Sequence, residues 1–103
     1  MNRVFLVGKI NVITEAQEGI IISVAVPRNY KREDGITESD FIDCYLTHGI
    51  ADTTKKYCKV NDTIGVNGRI ETTFLKGEKT MRIIAEKVTF LTTDPDLKKE
   101  DEE

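Results

Sequence analysis

The chain has 103 residues, enough for one domain with a modest core. Its 39% hydrophobic and 32% charged content excludes a disordered chain, and no apolar run approaches the roughly 20 residues that cross a bilayer. Formal net charge is −3, but the last ten residues, DPDLKKEDEE, hold six acids and two lysines, leaving thirteen cations and twelve acids over residues 1–93; whole-chain charge therefore does not exclude a polyanionic partner.

In chain order, residues 3–10 (RVFLVGKI) and 20–28 (IIISVAVPR) are rich in β-branched residues and predict two strands. The N-terminal run has one early cation and no small-residue cleavage site, so it reads as a strand rather than a signal peptide, which predicts a cytoplasmic protein. Residues 39–47 (SDFIDCYLT) alternate: Ile42, Cys44 and Leu46 point one way, and Phe41, Asp43, Tyr45 and Thr47 the other. Residues 11–19 and 29–38 are read as the connections, the second carrying the Asp34-Gly35 turn signal. Ile50, Ala51, Thr54, Tyr57 and Cys58 then recur at helical spacing over two to three turns. Residues 63–74 (TIGVNGRIETTF) and 80–91 (TMRIIAEKVTFL) predict the last two strands, with Gly77 at the hairpin tip between them. An OB-fold domain is expected over 1–93, followed by a short acidic tail, 94–103, expected to be disordered after Pro95.

The order β-β-β-α-β-β, in an all-β domain with one short helix, is that of the five-stranded OB-fold barrel, which binds oligonucleotides or oligosaccharides across one face. SH3-like barrels share the strand count, so the helix position carries the distinction. Strand one is apolar on both sides. Val4, Leu6 and Ile10 would fill the barrel, leaving Phe5 and Val7 as an oligomer interface unless the helix or a terminus covers them.

Two features bear on chemistry. Tyr30 sits between Arg28 and Lys31/Arg32, and Phe41 lies just past the turn. Either Tyr30 packs back on its own hairpin, or both rings are platforms for bases whose phosphates the cations hold. Arg3, Lys9, Arg28, Lys31, Arg32, Arg69, Lys76 and Lys79 are the expected phosphate contacts as a group, whereas Lys55, Lys56 and Lys59 read as solubility charges. Cys44 and Cys58 lack a CxxC partner and His48 is the only histidine, so both are expected to be small buried thiols, with no metal and no cofactor. No nucleophile–base pattern, phosphate-binding glycine loop or HExxH motif points to an enzyme; the enzymatic alternative is an OB-fold nuclease using Asp40, Asp43 and Arg82.

Five stretches together resemble the bacterial-type single-stranded DNA-binding proteins: NRVFLVGKI (2–10), ISVAVPRNY (22–30), SDFIDCYLTHGIAD (39–52), IGVNGRIET (64–72) and IIAEKVTFL (83–91). They run in register from about residue 2 to 91. The resemblance implies an OB-fold that assembles as a homotetramer through strand one and wraps single-stranded DNA. It places Tyr30 and Phe41 at base-stacking positions, Arg3 at a basic strand-one position and Lys31 beside the Tyr30 position. Thr47 stands where the family has Phe or Trp, and Tyr45 on the same face is the expected partial replacement. The family's fourth-strand aromatic corresponds to Leu75, with Phe74 one residue early; strict alternation turns Phe74 inward, and a bulge in the hairpin would turn it toward DNA.

Lys9 replaces the usual Asn, and the chain ends Lys-Glu-Asp-Glu-Glu without the Pro-Phe tip that recruits replication partners. That departure suggests a minimal or accessory member, encoded by a phage or mobile element. The implied function is sequence-tolerant binding and protection of single-stranded DNA in replication, recombination or repair. The alternative is an interaction module for a replication protein with weak DNA affinity, which the near-neutral domain and the missing ring at Thr47 favour.

Overall fold

Five strands and one helix follow in the expected order: β1 (Val4–Ala16), β2 (Gly19–Lys31), β3 (Thr37–Thr47), α1 (His48–Tyr57), β4 (Thr63–Leu75) and β5 (Glu78–Phe90). The computed structural model describes residues 1–92, so the acidic tail expected at 94–103 lies outside the described residues. The strands close as β1-β2-β3-β5-β4, and β4 pairs back onto β1. Every pairing is antiparallel except β3 with β5, which runs parallel through Cys44↔Ile83 and Tyr45↔Ile84. With α1 between β3 and β4, this is the OB-fold barrel.

Alternation explains the core. Ile10, Ile20, Ile22, Val24, Cys44, Leu46, Ile64 and Val66 are almost wholly buried, and Ala51 joins them from α1. Burying an aliphatic side chain of this kind stabilises by about 1.5–3 kcal/mol. The helix has Ala51 and Thr54 on its buried side and touches β2, β3 and β5. Closing so small a barrel brings backbones together at Gly8 and Gly68. A Cβ at Gly8 would strike the Ala25 carbonyl oxygen, and one at Gly68 the Ile84 carbonyl oxygen.

The strands are longer than the composition suggests. Most of 11–19 is not a connection: β1 runs to Ala16 and β2 begins at Gly19. Likewise β2 extends to Lys31, so Tyr30 belongs to a strand rather than a loop. Cross-strand hydrogen bonding carries these polar residues as ladder, because hairpin pairing needs backbone groups and not apolar side chains. Cys58 lies just past α1 as its C-cap, half-buried, not on the helix. Burial first, and Asp62 second, push its thiol up to about 11; burial and then Asp43 do the same for Cys44.

Two hairpins outrun the barrel. β4 pairs with β1 from Thr63 to Gly68, and beyond that point its ladder is with β5 alone. This β4–β5 arm ends at Lys76-Gly77, whose φ values of 52° and 81° suit a two-residue type I′ turn. The β2–β3 arm likewise continues past Lys9↔Ala25, the edge of the β1 ladder, to the Asp34-Gly35 turn. There Gly35 takes φ 82° and the Ile36 amide donates to Asp34 Oδ1 at 3.0 Å.

Candidate nucleic-acid interface

Between the two arms β3 and β5 part, and an apolar groove of about 470 Å³ opens at the seam. Phe41, Ile42, Asp43 and Tyr45 line it from β3, Ile70 from β4, and Thr80, Met81, Arg82 and Ile83 from β5. Phe41 is 63% exposed and Met81 70%, so two large apolar groups stand open to water here. An exposed apolar cleft rimmed by polar groups marks a binding surface.

Arg82 is fixed across this cleft. Its guanidinium carbon lies 5.1 Å from the Tyr45 ring centroid. Its Nη2 and Nε both donate to Glu71 Oε1, at 2.8 and 3.3 Å. Arg69 Nη1 sits 3.0 Å from the other Glu71 oxygen. Arg82 first, then Arg69, hold the Glu71 carboxyl below the usual carboxylate range.

The hairpin holds no bulge of the kind that would turn Phe74 away from its inward parity. The β4–β5 register shifts at Asn67/Gly68, back in the barrel, and pairing is continuous from Gly68 to Leu75. Phe74, opposite Lys79, therefore keeps the parity of Ile70 and Thr72, which pair with Ile83 and Met81. It is nonetheless 74% exposed, because the arm has left the barrel that this face would otherwise fill. Phe74 thus extends the face that lines the groove through Ile70 and Met81.

Tyr30 stands elsewhere. Arg28 donates to Asp40 at 2.9 Å and to Glu38 at 2.8 Å, so it shares a face with them. Asp40 and Phe41 are neighbours on one strand and point to opposite faces. A hydrogen bond to Asp40, then its charge, then the Tyr30 oxygen raise the Arg28 pKa above its ordinary value, placing Tyr30 with Arg28 and away from Phe41. Asp40 is held below the usual carboxylate range by the same bond. Residues 27–31 pair irregularly with 37–39, a distortion with no signature in the side-chain alternation. Tyr30 is 65% exposed and does not pack into a core.

The expected phosphate contacts divide into two groups. Arg28, Arg32 and Arg69 are each tied to carboxylates, Arg32 to Asp34 and Glu38. Arg3 donates to Asn67 Oδ1 at 3.2 Å. Among the described residues, Lys9, Lys31, Lys76 and Lys79 have no such partner and are exposed. The nuclease trio is not assembled, since Asp40 and Asp43 lie on opposite faces of β3 and Arg82 is bound to Glu71. Ile70 and Met81 were not legible as groove residues, and Arg82 was weighed only as a nuclease cation; alternation gives its side of the strand, but not the Tyr45 ring it meets across the sheet.

On β1, Phe5 is 67% exposed and Val7 44%. A Cβ at Gly65 would meet Phe5 and Leu91 at 3.7 Å each, so the three form one apolar strip. Among the described residues neither α1 nor a terminus covers it: α1 lies against other strands, and Leu91 leaves Phe5 open. No helix among these residues is long and apolar enough to cross a membrane.

Comparison with known proteins follows this geometry. Single-stranded DNA-binding protein B of Bacillus subtilis (strain 168) is 30% identical over 105 residues, spanning 91% of this chain and 93% of that protein. The single-stranded DNA-binding protein of Oceanobacillus iheyensis is 32% identical over 104 residues, 90% of this chain but 65% of its own length. In three dimensions, the crystal structure of a deletion mutant of the single-stranded DNA binding protein from Thermus aquaticus superposes with a TM-score of 0.70 at 17% identity, covering 89% of this chain and 51% of that one. The model of the single-strand binding protein family matches residues 1–91, and the chain belongs to that family.

Proposed function

We propose that the protein binds single-stranded DNA with little regard to sequence and shields it in replication, recombination or repair. The observation that carries this reading is the groove between the arms, where exposed Phe41 and half-buried Tyr45 face a polar and apolar wall on a barrel of this family. Phe41, Tyr45 and Phe74 are the base platforms of that groove. Tyr30, on the other face of its arm, takes a base as the strand rounds the hairpin. Each base–aromatic stack contributes about 1–3 kcal/mol. Lys9, Lys31, Lys76 and Lys79 meet phosphates directly, with Arg3 beside them, and Arg28, Arg32 and Arg69 do so by exchanging their carboxylate partners. No chemical step is assigned; the protein holds and covers its ligand in the cytoplasm. Copies join through Phe5 and Val7, as a homotetramer, so that one DNA strand runs over several barrels.

Titration with oligo(dT), followed by tyrosine fluorescence, tests the reading. Tight binding that weakens steeply with salt supports it. Equal affinity for a DNA duplex, or no binding, overturns it. A second reading, an interaction module for a replication protein with weak DNA affinity, is favoured by the three arginines tied to carboxylates. Weak oligo(dT) binding that is indifferent to loss of Tyr30 and Phe41 would select it.

A further inference from the structure

We infer that Arg82 is itself a base-stacking plate, a guanidinium held against the Tyr45 ring and Glu71 so that a nucleobase in the groove packs on its planar surface. The inference rests on the single-stranded DNA reading above and adds to it a residue outside the aromatic set. The geometry requires little else of the chain. The guanidinium carbon lies 5.1 Å from the Tyr45 ring centroid, and Glu71 takes two donors along one edge at 2.8 and 3.3 Å. These contacts restrain the guanidinium and engage Nε and Nη2, leaving Nη1 without a hydrogen-bond partner among the described residues. The side chain is 36% exposed and lines the groove together with Phe41 and Met81.

Charge points the same way. Glu71 is shared by Arg69 and Arg82, so much of Arg82's field is spent within the protein. A cation meant for a phosphate gains from freedom to follow the chain, as Lys76 and Lys79 on the arm can. A cation fixed on a ring and a carboxylate keeps its planar surface, and a guanidinium plane stacks on bases as a ring does. Tyr45 is then the support of the plate, and the base lies against Arg82 on the side of Phe41, which shares a face of β3 with Tyr45.

The test compares wild type and Arg82→Lys on oligo(dT) and on an abasic oligonucleotide of equal length, at several salt concentrations. Lysine keeps the charge and loses the plane. A loss of about fivefold or more on oligo(dT) is expected, with an unchanged salt slope and no loss on the abasic strand. Equal affinity of wild type and variant for oligo(dT) overturns the inference. So does an equal loss on both ligands, which would make Arg82 a phosphate contact that depends on its forked donors. If wild type binds oligo(dT) not at all, it is the DNA reading that fails; if wild type binds and Arg82→Lys matches it, only the plate fails. Should the variant not fold, NMR of the wild-type protein decides: the Arg82 Nε–H resonance moves upfield on adding oligo(dT) and stays with the abasic strand, and a resonance indifferent to both overturns the plate.

Discussion

Asp40 and Arg28 show how a charge can be present in a sequence yet withheld on the surface. Arg28 is bonded to Asp40 and Glu38, and Asp40 is held below the usual carboxylate range by that bond. A depressed carboxylate supports the fold above its unfolded pKa, and that support is lost as pH falls through the folded value. Both groups are solvent-exposed, so the stability at stake is small. The effect on DNA is the clearer readout. Asp40→Asn removes one of the two carboxylates that hold Arg28 at neutral pH, leaving Glu38, and should raise oligo(dT) affinity by roughly twofold to fivefold, with a steeper salt slope. In wild type the same gain should emerge on acidification through the carboxylate range, and the variant should show less of it. Parallel titrations near pH 7 and at a pH below the depressed Asp40 range check both. Tyr30 teaches a related lesson about reading residues: its setting among cations was plain in the sequence, but its face was not. Because β2 runs on to Lys31, alternation puts Tyr30, two residues past Arg28, on the Arg28 side.

At the level of elements, the arms and the helix make separate predictions. Gly68 ends the β1–β4 ladder and starts the β4–β5 arm, at the point where register shifts. Because a Cβ there meets the Ile84 backbone oxygen, Gly68→Ala should cost about 1–3 kcal/mol or more, as overpacking does. Urea unfolding should show a lower midpoint with little change in slope. Thr54 presents the opposite case. It is fully buried in α1, and its hydroxyl has no hydrogen-bond partner. Thr54→Val keeps the shape and removes the unpaired oxygen, so it should raise stability by about 1 kcal/mol in the same assay.

Element order was legible because each segment has its own period: two in the strands, near 3.6 in α1. Element length was not, since 11–16 mixes polar and apolar residues without strict alternation and 29–31 is largely polar, yet both belong to strands. The groove was half legible. Alternation put Phe41 and Tyr45 on one face of β3, but the opposite wall depends on how far β5 diverges from β3, and no local pattern carries that. Phe74 is instructive: its inward parity was readable, while its exposure follows from the barrel ending at Gly68.

For the whole molecule, charge and apolar surface set the expectations. The exposed Phe5–Val7 strip, bordered by Gly65 and Leu91, is the surface through which copies should meet. Phe5→Asp should lower the mass found by sedimentation equilibrium without unfolding the barrel, since Phe5 is 67% exposed. A mass unchanged from wild type would place assembly elsewhere. Near-neutral charge over residues 1–93 means that phosphate attraction alone is weak, so on the proposed reading the rings carry a large share of the affinity. That division of labour is most directly tested by one experiment: oligo(dT) affinity of wild type, Tyr30→Ala and Phe41→Ala across a salt series. Each ring's removal should cost about 1–3 kcal/mol per stacked base while leaving the salt slope in place. Affinity indifferent to both rings would contradict the stacking interface and turn attention to a protein partner.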